Sequence, residues 1–209
     1  SEITSAVSNA VDADTLDGYH ASQFAQASHS HSLSDITVDT TLRVCPHVDF
    51  HAIHSTSKPQ LTRVGLVNGF TLPIYNNDSE ELFFTCNVPQ VWDGSSDITL
   101  GFVAALDSAN TDKKFALQMD WQSITPGDVL SSSTVSASSE ISVTGAASQY
   151  QTYDVSMTID YDYNTPDVIE AGDTLVVRLR RISASSDEIT GNIIVYGFFM
   201  QFNRDKIGP

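Results

Sequence analysis

The chain is predicted to be all-β, an antiparallel jelly-roll-like β-sandwich preceded by an extended N-terminal arm with a short helical turn. Three observations carry this expectation. Apolar residues recur at every second position in run after run, clusters of Gly, Pro, Asn and Asp separate the runs, and apolar side chains in the first 40 residues are sparse. Composition points the same way. Hydrophobic residues make up 41% of the chain and charged residues only 17%, and Ser, Thr, Asn and Gln fill the gap as they do on exposed strands.

Residues 1–40 form the arm. Its apolar positions Val7, Val11, Leu16, Phe24, Leu33 and Ile36 are too scattered for a core of their own. Ordering a residue costs about 1–2 kcal/mol, so a single copy of the arm is expected to need further copies of itself, or a partner, to become ordered.

Residues 41–209 form the head, with strands expected over 42–54, 63–75 (bent at Gly69), 81–88, 97–106, 114–122, 150–163, 173–182 and 191–203. Alternation is clean at Leu82, Phe84, Cys86 and Val88. It recurs at Phe115, Leu117, Met119 and Trp121, and again at Leu175, Val177 and Leu179. Period two means one face buried and one solvated. Turns are expected at 76–79, 92–95, 125–128 and 170–173, where Asn, Asp, Gly and Pro cluster. The serine-rich stretch 131–148 reads as a long loop holding a short strand at Ile141-Ser142-Val143. In the last run, Ile193 to Met200, both faces are apolar, so that strand is either central or at a subunit interface. Gly197 within it would admit a close neighbour.

The formal charge of −16 repels phosphate backbones and anionic membrane surfaces, so neither nucleic-acid binding nor membrane insertion is expected. No stretch approaches the roughly 20 apolar residues of a membrane span. Nor does a basic region followed by an apolar run open the chain, so assembly in a cytoplasm is expected. Cys45 and Cys86 both lie in strand-like runs and read as small buried thiols, with a disulfide as the alternative.

Within the arm, Asp12-Ala13-Asp14-Thr15-Leu16-Asp17-Gly18-Tyr19-His20-Ala21-Ser22-Gln23-Phe24 resembles a short module of bacteriophage tail fibres and other particle fibres. Asp17-Gly18 would form a turn, while Ala21 and Phe24 lie three apart on one side of a helical turn. The resemblance implies packing around a threefold axis, with Asp14, Leu16, Asp17, Gly18, His20 and Phe24 as trimerisation and attachment residues. His29-Ser30-His31-Ser32-Leu33-Ser34-Asp35-Ile36 is similar to another fibre segment. An extended His-x-His places both rings on one side. Three copies would offer six nitrogens to a divalent transition metal such as iron, with a polar linker or a metal-free histidine layer as alternatives.

In the head, Val88-Pro89-Gln90-Val91-Trp92-Asp93-Gly94-Ser95-Ser96-Asp97-Ile98-Thr99-Leu100 resembles a segment of phage fibre heads, and Gly172 to Arg181 looks like its companion. The family so implied is that of homotrimeric fibre or capsid-decoration proteins of the virion. The arm would be anchored to a capsid, collar or tail protein, and the head exposed as a knob. With no long repetitive shaft in this sequence, a short fibre or a head-mounted knob is the form expected.

Other residue patterns point to specific chemistry less strongly. Cys45, His47, Asp49 and His51 alternate along one expected strand, with His54 near its end. Same-face residues lie about 7 Å apart, so a polar face or subunit interface accounts for them better than a metal site. Asp160 and Asp162 flank Tyr161 on one expected strand face with Asp154 nearby, a pattern that suits solvated positions more than paired catalytic carboxylates or a calcium site. Arg178, Arg180 and Arg181 form the dense basic patch of an acidic chain. They are expected to pair with acidic neighbours or another subunit, with anion binding as the alternative. There is no Gly-x-Ser-x-Gly elbow and no phosphate-cradling loop, so no catalysis is expected. Trp121 falls in the apolar register and reads as core. Trp92, at a turn, is the candidate for stacking on a host glycan, and a glycan-binding adhesin is the main alternative to a purely structural protein. A polysaccharide depolymerase is the more remote one.

Overall fold

The structure is a computed structural model and describes residues 15–16, 19–20, 41–45, 50–52, 59–73, 80–130, 133–163 and 169–204. The chain divides into two compact units, Ser1–Asp39 and Thr40–Pro209. Among the described residues there is no helix, and hence none long and apolar enough to cross a membrane.

In the first unit, β1 (Thr15–Leu16) pairs antiparallel with β2 (Tyr19–His20), Thr15 opposite His20 and Leu16 opposite Tyr19. Asp17-Gly18 stands between them in sequence, the spacing and composition of a two-residue hairpin. The helical turn expected through Ala21 and Phe24 lies outside the described residues, as do His29 and His31.

The second unit is a sandwich of two antiparallel sheets. The six-stranded sheet contains β5 (Gln60–Val64), β6 (Val67–Leu72), β8 (Ile98–Leu106), β11 (Thr152–Ile159) and β13 (Ile193–Asn203) in the order β11-β8-β13-β6-β5, with β3 (Thr41–Val44) also paired to β13. The five-stranded sheet contains β4 (His51–Ala52), β7 (Glu81–Asn87), β9 (Asn110–Ile124), β10 (Val135–Ala147) and β12 (Thr174–Ile182) in the order β10-β9-β12-β7-β4. From β7 onward every connection except the β9–β10 hairpin crosses between sheets, the winding of a jelly roll.

Alternation decides which side chains meet between the layers. Leu82, Phe84 and Cys86 of β7, Phe115 to Trp121 of β9 and Leu175 to Leu179 of β12 face Leu100, Phe102, Val155, Val195, Phe198 and Met200 of the other sheet in one core. Phe84 ties the layers together. Its ring centroid lies 4.8 Å from that of Phe198, 5.2 Å from Phe50 and 5.8 Å from Phe102, in tilted or edge-on contacts.

Several expectations change on contact with the structure. The stretch 131–148 is not a long loop. It contains β10, paired along its length with β9. Val135, Ala137, Ser139, Ile141 and Val143 do alternate with serine, but an edge strand needs little apolar area and the pattern is correspondingly faint. The strand expected over 63–75 is a hairpin, β5–β6, turning at Gly65-Leu66, where Gly65 has φ 61°. The strand expected over 42–54 is split, because β3 pairs in one sheet and β4 in the other. β13 is central, with β8 on one edge and β6 and β3 on the other, which explains why it is apolar on both faces. The ring that approaches a glycine is that of Phe199, and it lies against Gly101 of β8, where a Cβ would collide with it. At Gly197, beside a bulge, the close neighbour is the Val103 side chain.

Candidate functional site

The polar groups that the core leaves over on the five-stranded sheet collect on its outward face. Gln118, Asp120 and Gln122 alternate with the buried apolar residues of β9, as Val176, Arg178 and Arg180 do on β12 and Glu81, Phe83 and Thr85 on β7. Registry aligns them in rows across the strands. Ser136, Asp120, Arg178 and Phe83 make one row, and Ser138, Gln118, Arg180 and Glu81 the next.

Asp120 is the hub. Although it points away from the core, it is only 2% exposed, because its neighbours close over it. Its Oδ1 accepts hydrogen bonds from Ser136 Oγ at 2.5 Å and Gln118 Nε2 at 2.7 Å. Its Oδ2 accepts from Arg178 Nε at 2.9 Å and lies 2.7 Å from Nη2 of the same guanidinium, a charge-assisted ion pair. Arg178 Nη1 reaches Glu81 Oε1 at 3.2 Å. Desolvation pushes the Asp120 carboxyl up. Hydrogen bonds from Ser136, Gln118 and Arg178, with the Arg178 charge, outweigh it, and the carboxyl titrates below the ordinary value of 3.8. Asp120 is therefore an ionised anchor, the reverse of the raised carboxyl that a general acid requires.

Beside this anchor lies an open depression of about 200 Å³ lined by Phe83, Asp120, Gln122, Thr134, Val176 and Arg178. It combines a half-buried aromatic ring, a fixed guanidinium and amide and hydroxyl groups. Such a surface can hold a polar ligand by directed hydrogen bonds and one apolar contact. In the β7–β4 register His51 is the Cα partner of Phe83.

The outward face of the six-stranded sheet has a different character. A groove of about 130 Å³ there is lined by Val64, Val67, Ala105, Tyr150, Thr152, Ile194 and Tyr196. On the same sheet Phe199 carries Arg43 Cζ 3.6 Å above its ring.

The residues singled out from sequence are distributed otherwise. Trp92, the expected stacking residue, is 3% exposed and part of the core, with Nε1 donating to the Ser96 carbonyl at 3.0 Å. The Asp93 carboxylate explains this. It accepts from the amides of Ser95 and Ser96 and from Ser96 Oγ, closing a turn that folds the indole inward. A ring so enclosed has no face to offer a sugar. Trp121 is in the core as expected.

Of the trimerisation residues, Leu16 and His20 lie on the β1–β2 pair, while Asp14, Asp17, Gly18 and Phe24 lie outside the described residues. Cys45 and His51 do not share a strand. β3 ends at Val44, and β4 belongs to the other sheet. His47, Asp49 and His54 lie outside the described residues. Cys45 is exposed and Cys86 buried, both as free thiols, so the expectation of two buried thiols holds for Cys86 alone. Asp160 and Asp162 sit in a turn after β11 instead of on its face. The hydrogen bond that a protonated Asp162 donates to Asp160, with the charges of Asp160 and Asp97, pushes Asp162 up. Among the described residues no three His, Cys, Asp or Glu side chains are grouped to hold a metal ion.

The pairing expected of the arginines is seen at Arg178, and at Arg181, which points inward and bonds Glu188 and the Gly191 carbonyl. Gln118, Asp120, Ser136 and Phe83 were not anticipated as a site. Their signal is the equal parity of the polar positions on β9 and the arginines on β12, which becomes legible only once the two strands are known to be neighbours.

No protein-family model and no curated protein matches the chain. Solved structures resemble it distantly. One is a carbohydrate-binding module of family 28 specific for non-crystalline cellulose, with 12% identity, 76% of this chain and 87% of that chain covered, and a TM-score of 0.36. Another is TmCBM61 in complex with β-1,4-galactotriose, with 11% identity, 79% and 90% covered, and a TM-score of 0.29. A third is the family 11 carbohydrate-binding module from Clostridium thermocellum in complex with a β-1,3-1,4-mixed-linked tetrasaccharide, with 11% identity, 78% and 89% covered, and a TM-score of 0.29.

Proposed function

We propose that the chain is a receptor-binding subunit of a bacteriophage particle, a short fibre or capsid decoration, whose sandwich holds host-surface glycan on the outward face of the five-stranded sheet. The row Ser136–Asp120–Arg178–Phe83 carries the glycan reading. A sugar ring presents hydroxyls at its rim and C–H groups on its faces. It is therefore held by preorganised donors and acceptors beside an aromatic ring. Asp120 fixes Arg178 and Gln118 before any ligand arrives, which removes part of the ordering cost of binding. Binding is the whole of the activity in this reading, with no bond broken.

Titration calorimetry against a panel of bacterial surface polysaccharides tests it. The panel contains at least one ligand for the intact chain, and Phe83→Ala weakens that binding by about tenfold or more, a loss of roughly 1.4 kcal/mol. A flat panel, or full binding by Phe83→Ala, refutes the assignment of this face. Reducing sugar should not accumulate during the incubation. Its release would point to a depolymerase.

The particle reading is supported by the fibre-like motif from Asp12 to Phe24 and by the order of arm and head. It predicts a homotrimer in solution, with a light-scattering mass close to three times 22.7 kDa that falls to one copy when the chain begins at Thr41. A full-length monomer refutes self-trimerisation of the free protein. Iron at His29 and His31 is part of the same proposal, and elemental analysis of the purified trimer should find about one atom per three chains.

A further inference from the structure

We propose that the glycan held on this face is an acidic one, and that Arg180 receives its sugar carboxylate. The inference rests on the reading of the face as a glycan site and specifies the ligand class.

The three arginines of β12 differ in what they already hold. Arg178 is occupied on two sides by Asp120 and Glu81. Arg181 points into the sandwich and is held by Glu188 and the Gly191 carbonyl. Arg180 points outward in the row next to Arg178, between Gln118 and Glu81 in register, and its guanidinium makes no hydrogen bond among the described residues. Its Nε is buried without a partner. Its ion-pair partner among the described residues, Asp120 Oδ2, is 3.6 Å away, beyond hydrogen-bond reach, and already accepts from Arg178 Nε and lies 2.7 Å from Arg178 Nη2.

The Arg180 side chain is 27% exposed, so its guanidinium is partly desolvated. Its Nε is buried, so a ligand meets the outer Nη groups. Among the described residues Arg180 has only the ion pair to Asp120, and a neutral hydroxyl would offer its guanidinium a single uncharged acceptor. A planar carboxylate matches the Arg fork and compensates the charge as well. Phe83, on the strand next to Arg180 and two positions from its partner Glu81, is a diagonal neighbour about 7–8 Å away, near enough for the sugar ring that bears the carboxylate to lie on it. The ligand class is therefore a uronic or ulosonic acid within a polysaccharide.

The decisive comparison uses matched oligosaccharides with the intact chain: oligouronates, the same oligouronates with their carboxyls reduced to alcohols, and neutral oligohexoses. The carboxylated form should bind at least about tenfold more tightly than its reduced counterpart. Arg180→Gln should abolish that ratio while keeping the binding of the reduced form, and Arg180→Lys should restore part of it. Among the described residues Arg180→Gln gives up only the 3.6 Å ion pair with Asp120, so its melting temperature should fall by less than about 4 °C and lost binding cannot be ascribed to lost folding. Equal binding of carboxylated and reduced forms overturns the acidic-ligand inference and leaves the glycan face standing. Failure of every oligosaccharide to bind overturns both.

Discussion

Replacing Asp120 with asparagine preserves shape while removing the charge on which the candidate site is built. In the folded chain Asp120 accepts one bond each from Arg178, Gln118 and Ser136, and Arg178 Nη2 lies 2.7 Å from it as an ion pair. Hydrogen bonds to a charged group contribute about 1.5–3 kcal/mol each, and removing one partner of a buried pair costs about 3–5 kcal/mol. Two facts reduce these figures here. Arg178 is 33% exposed and keeps Glu81, and asparagine retains an oxygen for Ser136 and Gln118. We therefore expect Asp120→Asn to cost about 2 kcal/mol, or about 4–8 °C in melting temperature for a domain of this size.

The pH dependence has a definite sign. The folded carboxyl titrates below 3.8, so its stabilisation is complete above that value and is lost as the pH falls through the lower folded value. Glu140, held down to about 2 by Lys114 and Ser185, acts in the same window and remains in the variant. The acid limb of Asp120→Asn should therefore be shallower than that of the wild type without vanishing. Urea unfolding followed by tryptophan fluorescence reads both effects, because Trp121, next to Asp120 in the chain, is 2% exposed. A double-mutant cycle with Arg178→Gln should give a coupling of about 1–2 kcal/mol. A coupling below about 0.5 kcal/mol, with an unchanged acid limb, would show that the hub is a surface ion pair of no consequence.

Further outcomes are expected elsewhere. Phe84→Ala removes the ring that bridges the sheets and should cost about 3–5 kcal/mol in urea unfolding; a loss under about 1.5 kcal/mol would mean that Phe50, Phe102 and Phe198 close the gap. Trp92→Phe should lower stability by about 1–2 kcal/mol through the lost bond to Ser96 and the smaller ring, while glycan affinity stays at the wild-type value; reduced affinity in a variant that calorimetry finds fully folded would return Trp92 to the binding surface. Burial pushes the Cys86 thiol up to about 12, so a thiol reagent at pH 8 should modify Cys45 quickly and Cys86 only in denaturant. Rapid reaction of two thiols in the native protein would contradict the packing around β7.

The expectation of a sandwich followed from local physics. A strand turns successive side chains to opposite faces, so Leu82, Phe84 and Cys86, or Phe115 to Trp121, declare a buried face wherever the strand ends up in the sheet. The same logic weakens at an edge. β10 half-buries Val135 and Ala137 between serines, and its alternation was too faint to separate from a loop. Gly65-Leu66 marked a hairpin, yet the apolar residues on both sides read as one continuous run.

The site was hidden for a further reason. Ser136, Asp120, Arg178 and Phe83 come from β10, β9, β12 and β7, and nothing local to any of them says that those four strands are neighbours. Only the packed sheets determine that Asp120, polar and outward by parity, lies under Arg178 and not in water. Trp92 shows the converse, because a turn residue with every local sign of exposure is drawn inward by its contacts with the core. Sequence by itself determined which side of each strand faces the core, since that is a property of backbone geometry. Tertiary structure alone decided which outward residues meet, because adjacency in a sheet is set by pairing between segments far apart in the chain.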